Sequence, residues 1–156
     1  VNQGAYWQQV NHGLVPEGMV KTSRALSVTS VQVDPFTTET VYAATLAGLY
    51  KTTDGAASWV RIGESLQDQM IVSMVLDRAR PGVMYVAARD GIHRSDDGGK
   101  SWVALNEGLA TTNIRSLAQS ALDPQLFYAG TNGSGLYRST DGGAYWEALP
   151  SVFPKE

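Results

Sequence analysis

Thr52-Thr-Asp-Gly-Ala-Ala-Ser-Trp59, Ser95-Asp-Asp-Gly-Gly-Lys-Ser-Trp102 and Ser139-Thr-Asp-Gly-Gly-Ala-Tyr-Trp146 are three versions of one octapeptide, and their reading decides the fold. Each has a hydroxyl residue two positions before an aspartate, a glycine directly after it, and a closing tryptophan. The chemistry of that spacing is structural. Asp54, Asp97 and Asp141 are placed to accept hydrogen bonds from backbone N–H groups two residues on, as in Asx-turns. Gly55, Gly98 with Gly99, and Gly142 with Gly143 tolerate the positive φ of a tight turn. Trp59, Trp102 and Trp146 then restart the chain as a strand and bring the apolar surface that pins the hairpin down.

Working outward, each octapeptide closes a longer unit. The units start at Val28, Ile71 and Ile114, 43 residues apart both times, and Tyr42, Tyr85 and Tyr128 fall 14 residues into them. Within each, three short runs precede the tryptophan. The first (28–33, 71–76, 114–119) is β-branched and aliphatic, the second (41–45, 83–88, 126–130) sets an aromatic among small residues, and the third (49–52, 92–95, 136–139) follows a glycine. Gly and Asp/Asn clusters separate the runs, as between consecutive antiparallel hairpins. Glycine interrupts the pattern too often for helices. Four strands in 40–45 residues match one blade of a β-propeller, whereas β-solenoid repeats are usually shorter with fewer strands. The expected class is all-β: three complete four-stranded antiparallel blades at 28–70, 71–113 and 114–156.

The octapeptides resemble the Asp box, or BNR repeat, Ser-x-Asp-Gly-Gly-x-Thr-Trp. Ala56 replaces the second glycine in the first copy, and Tyr145 replaces Thr in the third. The resemblance covers about residues 28–149 and implies a propeller without fixing a reaction. The family includes sialidases, xyloglucan-hydrolysing enzymes, sortilin-type receptor ectodomains and photosystem II assembly factors. It also implies that the boxes lie on the face away from any active site, so that their aspartates hold turns.

Residues 1–27 stand apart. Gly4-Ala-Tyr-Trp7 repeats Gly143-Ala-Tyr-Trp146, and Asn11-His-Gly-Leu14 echoes Asn106-Glu-Gly-Leu109. This predicts one extra N-terminal outer strand followed by a connection nine residues longer than its counterparts, with Pro16, Gly18, Lys21 and Arg24 in it. An isolated edge strand is sticky unless it pairs, and three blades cannot close a ring. The expectation is a partial propeller, either an excerpt of a longer one or half of a six-bladed ring assembled from a homodimer.

Composition narrows the function classes. Of 156 residues 43% are hydrophobic and 17% charged, which suits a folded, glycine-rich β protein. The net charge of -3 offers no basic footprint for nucleic acid, and no apolar run is long enough to insert in a membrane as a helix. With no cysteine, disulfides and thiolate metal sites are excluded. No cofactor and no metal site is expected, the Asp96-Asp97-Gly98 run lacking the alternating oxygen ligands of a calcium loop.

Propeller ligands usually meet the face opposite the Asp boxes. Here that face takes the turns 45–48, 89–91 and 131–135 and the connections 11–26, 63–70 and 106–113. Its polar candidates are Glu64, Gln67, Asp68, Arg89, Asp90, Asn106, Glu107, Asn113 and Asn132. Glu64 and Glu107 each stand five residues past their tryptophan. Paired carboxylates serve glycoside hydrolysis, but repetition explains equivalent positions better than catalysis does. Arg78, Arg80, Arg89 and Arg115 do not fall at related sites as a triad gripping a sialic carboxylate would. His93 replaces Tyr50 and Tyr137 of the sister units and reads as a strand residue, and Tyr42, Tyr85, Phe127 and Tyr128 read as packing. No catalytic constellation emerges. The expected role is a non-catalytic scaffold that binds a protein or glycan partner, extracellular or periplasmic. The alternatives are a fragment or subunit of an Asp-box glycoside hydrolase, and an engineered or excised segment.

Overall fold

The computed structural model describes residues 6–14, 27–67 and 69–150. Each repeat folds as a four-stranded antiparallel meander. The first sheet comprises β1 (Val28–Val33), β2 (Val41–Thr45), β3 (Gly48–Thr52) and β4 (Val60–Ile62). The second comprises β5 (Ser73–Leu76), β6 (Met84–Ala88), β7 (Gly91–Ser95) and β8 (Val103–Ala104). The third comprises β9 (Ile114–Gln119), β10 (Phe127–Thr131), β11 (Leu136–Ser139) and β12 (Glu147–Ala148). A 3-10 turn, Glu64–Leu66, lies in the connection from the first sheet to the second.

The sheets stack like blades, with β5 lying between β1 and β9. The apolar residues at alternate strand positions form the joints. Tyr42, Ala44 and Leu49 of the first blade pack with Ile71, Met74, Leu76, Met84 and Val86 of the second. Tyr85, Ala87 and Ile92 of the second pack with Ile114, Leu117, Phe127, Ala129, Tyr137 and Trp146 of the third. In that joint the Tyr85 and Phe127 rings lie 4.4 Å apart at a tilt of 49°, an attractive aromatic geometry. The middle sheet is therefore apolar on both faces, and β6 is buried along its whole length.

Three details depart from the sequence reading. The fourth strands begin one residue after the tryptophan, because the Trp59 and Trp146 N–H groups donate to the His12 and Glu107 carbonyls instead of to a ladder, each at 2.9 Å. The fifth strand begins at Ser73 and not at 71, since the Ile71 N–H crosses to the Thr45 carbonyl of the preceding blade at 3.0 Å. The expected outer strand within 1–27 is not a strand over its described part: residues 6–10 join no ladder, because a strand exists only through a paired neighbour. What residues 6–14 do is dock on the first blade. Leu14 is buried with Ala43, Tyr50 and Trp59, and the indole Nε1 of Trp59 donates to the Val10 carbonyl at 2.8 Å. The rest of the long connection, 15–26, lies outside the described residues.

Candidate functional site

The two ends of the blades are tied differently. At one end each octapeptide turn is held to the loop between the first two strands of its own blade. Gly55 N–H donates to Glu39 O at 3.0 Å, Gly98 to Gly82 O and Gly142 to Gln125 O, both at 2.9 Å. At the other end lie the second hairpins and the connections between blades.

In the turns the aspartates are buttresses. Asp97 Oδ1 accepts from the Lys100 and Ser101 N–H groups at 2.9 Å and from the Ser95 hydroxyl at 2.8 Å, while Oδ2 takes the Ser101 hydroxyl. Asp54 repeats this with Thr52 and Ser58, and Asp141 with Ser139 and the Tyr145 N–H. The N–H donors sit three and four residues on, where two residues on was expected. Paired positive-φ residues (Gly98 at 74° and Gly99 at 90°) curl the loop back so far that the later donors arrive at the carboxylate. The two-residue Asx pattern occurs instead at the other loop, from Asp34 to Phe36 N–H, Asp77 to Ala79 N–H and Asp123 to Gln125 N–H. The Ser58 hydroxyl above all, with Thr52 and the Ser58 N–H, lowers the Asp54 carboxyl to about 2. Ser101 acts likewise on Asp97, and the Tyr145 N–H on Asp141. Such carboxylates stay ionised and saturated with donors, so they suit neither acid catalysis nor metal binding. Among the described residues no group of acidic or histidine side chains comes together to hold a metal ion.

The opposite end carries a cleft of 560 Å³ between the second and third blades. Its floor is Val72 with the buried Ala88 and Ile114, and its walls are Met70, Arg89, Thr111, Thr112, Asn113 and Arg115. Arg89 follows β6 and Arg115 stands at the start of β9, so each strand frame sets one guanidinium at the cleft. Both side chains are exposed, and among the described residues no carboxylate pairs with either. Asn113 is fixed at the rim: its N–H donates to Thr111 Oγ1 at 3.1 Å and its carbonyl accepts from Asn132 N–H at 2.9 Å.

Of the polar candidates read from sequence, Arg89 and Asn113 line this cleft, and Arg115, Met70 and the two threonines complete it without having been singled out as ligand-face residues. A repeat pattern hides them because Arg115 has Thr29 and Val72 as its counterparts. The others serve the frame or stand in solvent. Asn106 clamps the second hairpin, accepting from Ile92 N–H at 2.9 Å and donating to Asp90 O at 3.1 Å. The Asp90 carboxylate meets His93 Nε2 at 2.7 Å. Glu107 offers its carbonyl to Trp146, while its side chain, like those of Glu64, Gln67 and Asn132, is exposed. Asp68 lies outside the described residues.

No protein family model and no curated protein matches the chain. Solved structures do. An ancestral GH74 enzyme superposes with a TM-score of 0.68 at 24% identity, over 81% of this chain and 19% of that one. The GH74 xyloglucanase from Xanthomonas campestris gives 0.64 at 18% identity, over 83% and 24%. YCF48 bound to D1 peptide gives 0.61 at 21% identity, over 79% and 39%. At these identities the likeness is one of fold, a partial β-propeller, and this chain spans well under half the length of each of those chains.

Proposed function

We propose that this chain is a binding scaffold whose ligand is an extended peptide bearing a carboxylate, seated in the cleft between the second and third blades. The carrying observation is the pair of guanidiniums, Arg89 and Arg115, which no carboxylate pairs among the described residues, on an apolar floor whose described lining includes no carboxylate. A cleft lined this way attracts an anion through planar two-point donors and buries aliphatic side chains beside it. Among the described residues its lining offers no acid and base with which to cleave a glycosidic bond, the groups such hydrolysis needs. One structure of like fold, YCF48, is itself bound to a peptide, while the GH74 structures are enzymes, so the fold accommodates either class and the preference for a peptide rests on the cleft's lining.

The test is calorimetric titration with a short peptide ending in a free carboxylate and with its amidated twin. The acid form should bind at least about tenfold more tightly, the worth of one charge-assisted hydrogen bond. Arg89→Gln and Arg115→Gln should each erase that difference. Equal affinity for both forms, or turnover of xyloglucan or any other glycan by the chain, would overturn the reading.

A further inference from the structure

Asparagine before glycine is the pair in which a polypeptide most readily attacks itself, because the glycine nitrogen approaches the side-chain amide with no side chain of its own in the way. Asn132-Gly133 is such a pair, at the tip of the β10–β11 hairpin, and the other asparagines of the sequence precede Gln3, His12, Glu107 and Ile114. Both reacting groups are free. Asn132 and Gly133 are exposed, and among the described residues neither the Asn132 side chain nor the Gly133 N–H makes a hydrogen bond. The bonds that shape the tip bypass them. Thr131 donates to Gly135 O from its N–H at 3.0 Å and from its hydroxyl at 2.7 Å, and Ser134 N–H donates to Thr131 Oγ1 at 3.0 Å. Even a Cβ on Gly133 would meet nothing within 4 Å. Exposure belongs to this place in a blade: Arg89 and Asp90, at the tip of the second hairpin, are exposed although the third blade packs on their sheet.

Aspartate before glycine undergoes the same attack, and the three octapeptide turns all contain that pair. There the fold blocks it. The Gly55, Gly98 and Gly142 N–H groups are committed to loop carbonyls at 3.0, 2.9 and 2.9 Å. The carboxylates of Asp54, Asp97 and Asp141 are ionised and hold hydroxyl and backbone donors, which makes them poor electrophiles. Asp90 meets His93 Nε2 at 2.7 Å, and Gly91 stands in the ladder opposite Ala88. Asn106 is clamped at both ends of its side-chain amide, and the Ile114 N–H that follows Asn113 donates to Thr112 O at 2.8 Å.

We propose that Asn132 is a site of spontaneous deamidation, and that the isoaspartyl residue it yields is a substrate for a carboxyl methyltransferase. Solvent base removes the Gly133 amide proton, and the nitrogen attacks Asn132 Cγ. The N–Cγ bond forms, the Cγ–Nδ2 bond breaks, and the leaving nitrogen takes up a proton and departs as ammonia, leaving a succinimide. Water then opens the ring. Cleavage of the new N–Cγ bond gives aspartate, whereas cleavage of the original peptide bond gives isoaspartate, with the chain running through Cβ and Cγ and a free carboxylate on Cα. Water is consumed, ammonia is released, and the hairpin gains a negative charge. That hairpin is tied to the cleft rim, since Asn132 N–H donates to Asn113 O at 2.9 Å.

The intact chain, held for weeks at mildly alkaline pH and physiological temperature, is digested with trypsin and mapped by mass spectrometry. The peptide from Ser116 to Arg138 should gain the mass of an NH2-to-OH exchange before any other asparagine peptide does. It should also accept a methyl group from S-adenosylmethionine when treated with an isoaspartyl-specific carboxyl methyltransferase. Asn132→Gln should abolish both signals, and Gly133→Ala should slow them by at least about tenfold. In urea the octapeptide turns should begin to accept methyl groups as well, because the fold is what protects them. An unchanged Asn132 peptide, earlier conversion at Asn106 or Asn113, undiminished conversion in Gly133→Ala, or turns as reactive in the folded chain as in urea would each overturn the proposal.

Discussion

Gln119 of the third blade donates from Nε2 to the Asp77 carboxylate of the second at 3.0 Å, so a buried charge in one blade is completed by its neighbour. Burial pushes the Asp77 carboxyl up, but Arg80, the Ala79 N–H and Gln119 together hold it below its ordinary value. Arg80 contributes two bonds at 2.9 and 2.6 Å. Asp77→Ala should cost about 2–4 kcal/mol, since it strands these donors around a desolvated site. Gln119→Ala should cost about 1 kcal/mol. Urea unfolding of both variants and of the pair measures the coupling, and additive losses would refute the link between blades.

Acid should loosen the turns in a defined window. A carboxyl depressed on folding stabilises the protein fully above its unfolded value and loses that contribution as pH falls through its folded value. Asp54 goes from 3.8 to about 2, and Asp97, Asp141 and Asp77 shift the same way. The melting temperature should hold steady above about pH 5 and fall between about pH 4 and 2. In Asp97→Asn the protein should melt lower at neutral pH and show a shallower acid limb, read by scanning calorimetry.

Tyr145 leaves the third turn one hydroxyl short. In the other boxes Ser58 and Ser101 donate both N–H and O–H to the aspartate, whereas Tyr145 donates only its N–H to Asp141. Tyr145→Thr should restore the second bond and move the Asp141 carboxyl lower. Carbon-detected NMR titration of the carboxylates should show that movement, with stability changing by at most about 1 kcal/mol.

Two glycines separate strain from collision. Gly108 and Gly133 have φ of 85° and 96°, but a Cβ on Gly108 would fall onto the Trp146 carbonyl while one on Gly133 meets open space. Gly133→Ala should cost about 1 kcal/mol from backbone conformation alone. Gly108→Ala should cost at least about 2 kcal/mol more, as the contact of the connection with Trp146 is forced apart. Equal losses in denaturant unfolding would show that the collision is relieved cheaply.

The fold was legible because repetition multiplies weak signals. One Asp-Gly turn means little, but three at equal offsets from a tryptophan, and within one residue of equal offsets from a tyrosine, fix twelve strands to within a residue or two. The strand ends were harder to read, since Ile71 and Trp59 spend their N–H groups on neighbouring segments that periodicity does not reveal. The cleft was legible only in part. Arg89 lies in a hairpin turn, where exposure is expected, but Arg115 sits inside a strand whose counterparts are Thr29 and Val72. Its proximity to Arg89 comes from how neighbouring blades stack, and a pattern shared by all copies carries no trace of what one copy does alone.

The tryptophans divide the labour unevenly. Trp146 reaches across to Leu105 and Trp59 across to Val10, but the Trp102 indole turns inward to Gly99 of its own loop at 3.1 Å. Between the first two blades, Thr29 and Gln32 supply side-chain bonds to the Ile71 and Met74 carbonyls, at 2.6 and 3.4 Å, while the Trp102 indole packs against the seam without a hydrogen bond across it. Under mechanical load that seam is the one expected to yield first. The second and third blades, which hold the arginine-lined cleft between them, should then travel as one unit, so stretching the molecule would leave that cleft whole.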